Sequence, residues 1–385
     1  MAERKLLQGP TGYENWVAAA RRDPSLSAFE LQLYSDAHLT DEVVTGAGPY
    51  SFYNAVPRSL GTFRHVLTLR VEMHVADSTP DFSRTDTTRY HGGGLADEIS
   101  SLAGLLLGVR LRAGDMSREF LGDDPRGRPW ADTTIPVLPL PRLHLPGLFG
   151  GWIVPRAHDS MNIRQALLPL FETYHLLRRE HAVALVRAAR LYQNAMWVVE
   201  SEPELAWLLL VSAVEVVAVE YQQATQQPEE ILRLWNRPLY DAIERAGGAA
   251  LLAECTRHLS QQMRALRRFL SFLQQFRPPE PERPAENVFP ISWEGPSLEN
   301  GLEKIYDYRS RALHAGVPFP MPMCTPPMIG GCYHERPPGL TTHTDEAVWE
   351  NDALPMLLHV FEHIARGAIL RWWRSLVAPG EQASV

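Results

Sequence analysis

The sequence predicts an α+β domain over residues 1–157, a mainly α-helical bundle over residues 158–377 and a flexible tail over residues 378–385. Residues 67–75 alternate between apolar and polar side chains, which is the spacing of a half-buried β-strand. From Ile163 onwards, apolar residues recur every three or four positions over long segments, which is the spacing of packed helices. The change of period along the chain therefore predicts two parts with different secondary structure.

Prolines and glycines mark the boundary between the two parts. They recur between residues 123 and 151, which predicts extended chain rather than helix, and we place the boundary near the end of this segment. The elements predicted before it are a helix over residues 12–22, strands over residues 29–33, 67–75 and 109–112, and a helix over residues 95–107 that Gly108 closes.

The second part is predicted to be helical apart from two proline-rich loops. Its helix at residues 203–221 follows an acidic, proline-containing start and is apolar on nearly every side, which places it at the centre of the bundle. The other predicted helices cover residues 163–199, 238–247, 249–276, 302–316 and 353–376, and the loops cover residues 277–296 and 317–346.

Composition and charge limit the classes of function. Three cysteines among 385 residues give no disulfide framework, which is typical of a protein from a reducing cytoplasm. The first residues lack the apolar core of a signal peptide, and the apolar run at residues 205–219 is short for a membrane span. We therefore expect a cytoplasmic protein that does not associate with membranes. A net charge of −8 argues against a broad, non-specific nucleic-acid surface but is compatible with a small cationic pocket.

The predicted helix at residues 302–316 carries a charge in the middle of its apolar face. The residues of this stripe are Leu302, Ile305, Tyr306, Arg309 and Leu313. A guanidinium keeps its charge, so the arginine is costly there unless an anion meets it. Glu215 is the acidic residue inside the apolar helix at residues 203–221, and it needs a cation for the same reason. We therefore predict that Glu215 and Arg309 form a buried ion pair.

A histidine stands at the end of the same predicted helix. His314 lies in the last turn, and Gly316 occupies the position expected of a C-terminal cap. The exposed carbonyl groups of a helix end favour a protonated imidazole. Arg309, four intervening residues and His314 therefore form a cationic pair suited to holding or cutting a phosphodiester.

The run from Tyr306 to Gly316 resembles the signature helix of HEPN domains, especially of the Apea-like branch. The motif of that family is an arginine, four to six residues and a histidine, which Arg309 and His314 match here. Ser310 follows the arginine, as it often does in the Apea-like branch, whereas many active members have Asn, Asp or His there. The resemblance implies that the helical part has a HEPN-like fold and works as a homodimer, in which two copies of the helix form one composite pocket.

The resemblance also implies a metal-independent endoribonuclease without a cofactor, acting as a toxin or antiphage defence effector with an antitoxin or a sensor as partner. His314 is then the general acid–base, Arg309 stabilises the pentacoordinate phosphate, and the RNA product ends in a 2′,3′-cyclic phosphate. Arg311 lies three residues before His314 and is expected to make the second phosphate contact, while Ser310 and Glu215 support the site.

Two further interpretations remain open from the sequence. In the first, Arg309 and Glu215 are only a structural pair and His314 only caps the helix, so that the domain is a non-catalytic dimerisation or nucleotide-sensing module. The second concerns Arg257, Arg264 and Arg268, which share one face of the helix at residues 249–276 and form either a solvated surface or a phosphate track for RNA.

A zinc site is the remaining question that the sequence raises. Cys324, Cys332, His334 and His343 supply zinc-binding side chains within the loop at residues 317–346. Their spacing is not a familiar zinc pattern, so ordinary loop roles and no metal are expected. A zinc-stabilised regulator is therefore a weaker third interpretation.

Overall fold

The chain combines an antiparallel sheet with a group of long helices, which confirms the predicted mixed α+β class. The computed structural model describes residues 9–53, 55, 64–76, 85–121, 124–130, 151–221, 229, 232–233, 237–282, 287–329, 331–339, 341–344 and 346–377. The predicted tail at residues 378–385 and most of the proline-rich segment at residues 123–151 lie outside the described residues.

The first part consists of a five-stranded antiparallel sheet with two helices. The sheet order is β3-β4-β1-β5-β6, and a short strand β2 pairs in parallel with β7 from the start of the second part. The helices are α1 (Thr11–Ala20) and α2 (Leu95–Leu107). The strands are β1 (Ser27–Ser35), β2 (His38–Thr40), β3 (Tyr50–Tyr53), β4 (Arg64–Met73), β5 (Arg112–Phe120), β6 (Arg128–Pro129) and β7 (Ser160–Asn162).

The strand predicted at residues 67–75 is confirmed. The strand predicted at residues 109–112 was placed at the wrong residues. In β4, Leu67, Leu69 and Val71 are buried, as the period of two predicts. The strand predicted at residues 109–112 instead begins at Arg112 and runs to Phe120. Register shifts interrupt its pairing with β1, so its apolar residues do not fall on every second position and the pattern is hidden.

The second part contains six longer helices among the described residues. They are α3 (Ile163–Phe171), α4 (Arg179–Val198), α5 (Pro203–Tyr221), α6 (Arg237–Gln275), α7 (Pro296–Ala315) and α8 (Leu358–Val377). The segment predicted as helical at residues 163–199 is divided between α3 and α4 by a turn. The predicted separation near residue 248 is confirmed, because Gly248 adopts non-helical angles within α6 (φ 62°, ψ −160°).

Two corrections concern the ends of the loops. The last helix begins at Leu358 rather than at residue 353, since Leu354 precedes a proline and has extended angles (φ −111°, ψ 78°). Both predicted loops also contain short strands. They are β8 (Asn287–Phe289), β9 (Met328–Ile329) and β10 (Cys332–His334), which form a three-stranded sheet, and β11 (Thr341–His343), which forms a hairpin with β12 (Val348–Glu350) just after the second loop.

Helix α5 packs against α4, α6 and α8 and carries much of the core of the bundle, which confirms its predicted central position. Trp207 on α5 is fully buried and stacks between two phenylalanines, with ring centroids 5.2 Å from Phe319 and 5.1 Å from Phe361. A buried aromatic stack of this kind fixes α8 and the segment after α7 against α5.

One hydrophobic core includes residues of both parts of the chain. Polar contacts cross between them as well: Arg366 of α8 donates from Nε to the carbonyl oxygen of Leu105 over 2.7 Å, and the Tyr13 hydroxyl donates to the carbonyl oxygen of Leu177 over 2.6 Å. Arg366 thereby satisfies a carbonyl at the C-terminal end of α2. The division at residue 157 stays a prediction about folding units.

The last helix is also apolar enough to be considered as a membrane span. Within the described residues, the segment Asn351–Val377 is the one that meets this test by length and composition, and 72% of its apolar window is buried inside the protein. Such burial is expected of a helix in the core of a protein.

Candidate functional site

Helix α7 positions the arginine and the histidine of the predicted site. It begins at Pro296, six residues before the predicted start, because a proline at the first helical position is already set to helical angles. It ends where the sequence predicts: Gly316 adopts the left-handed conformation (φ 66°), and its backbone N–H donates to the carbonyl oxygen of Arg311.

The buried face of α7 differs in part from the predicted stripe. Leu302 and Ile305 are buried as predicted, but Leu313 is 52% exposed, because it lies in the last turn beyond the elements that pack on the helix. Tyr308, which the stripe omitted, is buried instead. The buried face is therefore rotated, and Arg309 lies at its edge rather than in its middle.

Arg309 meets Glu215 across the contact between α7 and α5. Its Nη2 donates to Glu215 Oε2 over 2.7 Å, which confirms the predicted ion pair. The hydroxyl of Tyr306, one turn earlier on α7, donates to the other carboxylate oxygen over 2.9 Å. The side chains of Arg309 and Glu215 are 21% and 20% exposed, so the pair is half-buried rather than buried as predicted. Glu215 thus fixes two donors of α7 while leaving the arginine accessible.

Electrostatics around Glu215 keep Tyr306 protonated. Burial raises the pKa of the Tyr306 hydroxyl, and the negative charge of Glu215 raises it further. The nearby charges of Arg309 and Arg268 act in the opposite direction on this pKa, so Arg268 of α6 lies within electrostatic range of the same cluster. The ring of Phe269 packs 5.2 Å from that of Tyr306 and shields it from water. Tyr306 therefore serves as a neutral hydrogen-bond donor.

The other predicted site residues lie on the accessible side of α7. His314 is exposed in the last turn, and Ser310 is half-buried. Arg311 is exposed and lies 3.8 Å from Asp307, with its guanidinium carbon 5.6 Å from the ring centre of Tyr308. These side chains can reach a ligand that approaches the C-terminal end of the helix.

A single copy of α7 does not bring Arg309 and His314 together. Five residues correspond to about 140° of rotation and about 7.5 Å of rise along an ideal helix. Arg309 faces α5, whereas His314 faces solvent beyond it. A second copy of the helix is one arrangement that would bring both groups to the same phosphate.

Of the three arginines predicted to form a phosphate track for RNA, the structure describes the side chain of one. Arg268 is half-buried on α6 near Tyr306. Arg257 and Arg264 lie on the same helix, in a stretch whose side chains are outside the described part of the structure. The phosphate track along α6 therefore stays a prediction.

The zinc-type side chains of the loop lie in different surroundings. Cys324 is buried, and burial raises the pKa of its thiol to about 12. His334 is buried and stacks on Phe289 at 5.4 Å, whereas His343 belongs to the separate hairpin of β11 and β12 and is exposed. Across the described ranges, no three His, Cys, Asp or Glu side chains are grouped so that they could hold a metal ion.

Tyr306 is the functional candidate that sequence reasoning assigned only to packing. Its position three residues before Arg309 gives the signal, because side chains at this spacing lie next to each other on a helix. A hydroxyl beside an arginine in an apolar stripe needs a hydrogen-bond acceptor. The carboxylate of Glu215 accepts hydrogen bonds from both Tyr306 and Arg309.

With this geometry in place, the chain can be compared with known proteins. No family model, no curated protein and no solved structure matches it. The resemblance to HEPN domains therefore rests on the residues of α7 from Tyr306 to Gly316.

Proposed function

We propose that the protein is a metal-independent endoribonuclease of the HEPN type, with a HEPN-like helical part. Its site consists of α7 from two copies of the chain. The observation that carries this proposal is the way Arg309 is held: Glu215 fixes one end of its guanidinium while the side chain stays partly exposed, on the same helix as the exposed His314. A pre-oriented cation next to an accessible imidazole is suited to phosphoryl chemistry.

The reaction uses the RNA itself as the nucleophile. His314 accepts the proton of a ribose 2′-hydroxyl, the 2′-oxygen attacks the adjacent phosphorus, and the bond from phosphorus to the 5′-oxygen breaks. The leaving 5′-oxygen takes a proton from water, and the resulting hydroxide takes the proton back from the imidazolium, so both protons are accounted for. Arg309 stabilises the charge that develops on the phosphate oxygens, and Arg311 contacts the neighbouring phosphate. The product is a 2′,3′-cyclic phosphate.

Charge explains why such an enzyme is selective. A chain of net charge −8 repels RNA over most of its surface, so binding depends on local cations. Arg309 of α7 and Arg268 of α6 provide two of them, since both lie within electrostatic range of Tyr306, and Arg311 provides a third on the exposed side of α7. The proposed enzyme acts in the cytoplasm as a toxin or antiphage effector, and an antitoxin or a sensor protein restrains or triggers it.

A second candidate function is a non-catalytic dimerisation or nucleotide-sensing module. The observation in its favour is the same ion pair, because the Glu215 carboxylate neutralises Arg309 and would repel a phosphate brought against it. In this alternative, Glu215, Tyr306 and Arg309 lock α7 to α5, and His314 stabilises only the helix end.

The test compares RNA cleavage by the wild type and by His314→Ala, with EDTA present throughout. We expect the wild type to cut RNA and leave cyclic phosphate ends, and the variant to be slower by about 100-fold or more, since general acid–base groups contribute that much. His343→Ala is the control, because it removes an equally exposed histidine from a hairpin away from α7.

Two results would decide against the proposal. A folded His314→Ala protein that cuts RNA at the wild-type rate would exclude this mechanism. A wild type that cuts no RNA and is harmless when expressed in cells, also together with candidate triggers, would favour the non-catalytic module.

A further inference from the structure

A cavity of about 460 Å³ lies away from α7, between α8, the segment around residue 155 and the two loops. Four stretches that are distant in sequence form its wall. The side chains that matter here are Arg156, Asp159, Glu282, Tyr333, His359 and Glu362. A cavity of this size falls within the usual range of small-molecule sites, which is roughly 300–1,000 Å³.

The charge at the inner end of the cavity is satisfied by the protein itself. Glu362 is fully buried and accepts hydrogen bonds from Arg156 Nη2 over 3.2 Å and from the Tyr192 hydroxyl over 2.6 Å. Arg156 and Glu362 thus form an ion pair that links the segment after β6 to α8. Arg366 also lies within electrostatic range of Glu362, so this carboxylate is neutralised by the protein and is not available to a ligand.

His359 is different, because its polar atoms are unsatisfied. The residue lines the cavity and is only 9% exposed, and neither ring nitrogen has a hydrogen-bond partner among the described residues. Burial lowers the pKa of its imidazole to about 3, so the ring is neutral and offers one N–H donor and one acceptor nitrogen. A buried polar ring without partners is destabilising unless a ligand or a water molecule provides them.

The entrance to the cavity is acidic. Asp159 and Glu282 line it and are exposed, and within the described ranges neither carboxylate forms a direct salt bridge, although Asp159 lies within electrostatic range of Arg156. The wall also includes apolar side chains, namely Val154, Pro155, Pro281 and Val360. Glu335 also lines the cavity, but its carboxylate accepts the backbone N–H of Ile291. His363 likewise contacts the carbonyl oxygen of Pro279.

We propose that this cavity binds an organic cation, specifically an amine or guanidinium group carried on a short aliphatic chain. The cationic group lies between Asp159 and Glu282, the aliphatic chain passes along the apolar wall, and a polar group at the other end hydrogen-bonds to His359. An anionic ligand would meet a lining in which the carboxylates of Asp159, Glu282, Glu335 and Glu362 outnumber the guanidinium of Arg156, and it is disfavoured. Both a free small molecule and an arginine or lysine side chain of a peptide have this chemistry.

Calorimetric titration with agmatine, which has a guanidinium and an amine on a butyl chain, tests the site. We expect saturable binding to the wild type and none of butanediol, the uncharged analogue. The double variant Asp159→Asn, Glu282→Gln should weaken binding by about tenfold or more, since each lost charge pair costs of the order of 1 kcal/mol. His359→Phe should weaken binding as well, because phenylalanine keeps an aromatic ring but has no nitrogen that could hydrogen-bond to the ligand. Glu280→Gln makes the same change two residues from Glu282, outside the cavity, and should leave binding unchanged.

The remaining outcomes either contradict the proposal or show whether the ligand is a free molecule or a peptide side chain. The proposal fails if the wild type does not bind agmatine, if butanediol binds equally well, or if the double variant binds as the wild type does. The double variant keeps this test valid even where His359→Phe impairs folding, since both rim residues are exposed. Tighter binding of blocked arginine amide than of agmatine assigns the site to a peptide side chain, and the reverse order assigns it to a free molecule.

Discussion

Glu215 determines how Arg309 is held against α5. The carboxylate holds the arginine over 2.7 Å and Tyr306 over 2.9 Å, so two donors of α7 depend on one acceptor of α5. Because about one fifth of each charged side chain is exposed, water screens the pair and its removal costs less than for a fully buried pair.

Glu215→Ala should lower the free energy of unfolding by about 1–3 kcal/mol, since it leaves Arg309 and the Tyr306 hydroxyl without their acceptor. Urea denaturation measures this loss. Asp307→Ala is the matched control: it removes an acid from the same helix whose arginine partner is 3.8 Å away and exposed, and it should change stability by less than about 0.5 kcal/mol. Equal effects of the two substitutions would mean that Glu215 does not hold α7 to α5.

Glu98 is a second acid on which several elements depend. It is fully buried on α2 and accepts the backbone N–H groups of Gly12 and Tyr13 at 2.8 Å and the Tyr174 hydroxyl at 2.8 Å. It thereby satisfies free donors in the first turn of α1. Burial raises the pKa of Glu98 to about 7, although these hydrogen bonds act to lower it.

This raised pKa makes stability depend on pH in a defined direction. Between the ordinary value of 4.5 and about 7, the native protein keeps a proton that the unfolded chain has lost. A rise in pH through this window therefore lowers the free energy of unfolding, by about 2–4 kcal/mol in total, with no further loss above it. Glu98→Gln, which cannot titrate, should lack this contribution. Denaturation of both proteins across the window measures the difference, and parallel pH profiles would contradict it.

At the scale of elements, glycines and apolar periodicity predicted the helix ends well, whereas the strands inside the loops could not be predicted. The C-terminal ends of α2 and α7 and the break at Gly248 coincide with glycines that have positive φ, a conformation that few other residues adopt. The position of β5 was predicted wrongly, and the short strands of the proline-rich segments were not predicted. Their positions depend on pairing with distant strands, which a local pattern does not contain.

The candidate site shows the same division. The contact between Glu215 and Arg309 could be predicted, because each charge stood alone in an apolar surrounding and needed the other. The exposure of Leu313 and the cavity at His359 could not, because both depend on which loops cover a helix.

The two glycine caps give a matched test at this scale. Gly108 and Gly316 both have left-handed angles, with φ of 70° and 66°. A Cβ at Gly316 would meet nothing within 4 Å, so Gly316→Ala should cost only the backbone strain of about 1–2 kcal/mol. A Cβ at Gly108 would collide with the guanidinium of Arg156, which pairs with Glu362.

Gly108→Ala should therefore lower the free energy of unfolding by about 1–3 kcal/mol more than Gly316→Ala does, because it also displaces one partner of a buried ion pair. Thermal or urea unfolding of the two variants checks the order. A smaller loss for Gly108→Ala would show that Arg156 moves aside without cost.

At the scale of the whole molecule, the proposed activity belongs to two chains rather than one. The rotation between Arg309 and His314 keeps them apart on a single α7, so in the proposed site Arg309 of one copy works with the partner's His314. A homodimer in solution is a requirement of this arrangement.

Mixing two inactive variants tests this central claim most directly. Arg309→Gln keeps a hydrogen-bonding group towards Glu215 but lacks the charge, and His314→Ala lacks the imidazole. Each should be inactive alone, whereas co-expression of both should form mixed dimers that contain one intact pair and restore about a quarter of the wild-type rate of RNA cleavage. No recovery in a mixture of folded, dimeric variants would contradict a site composed of two copies.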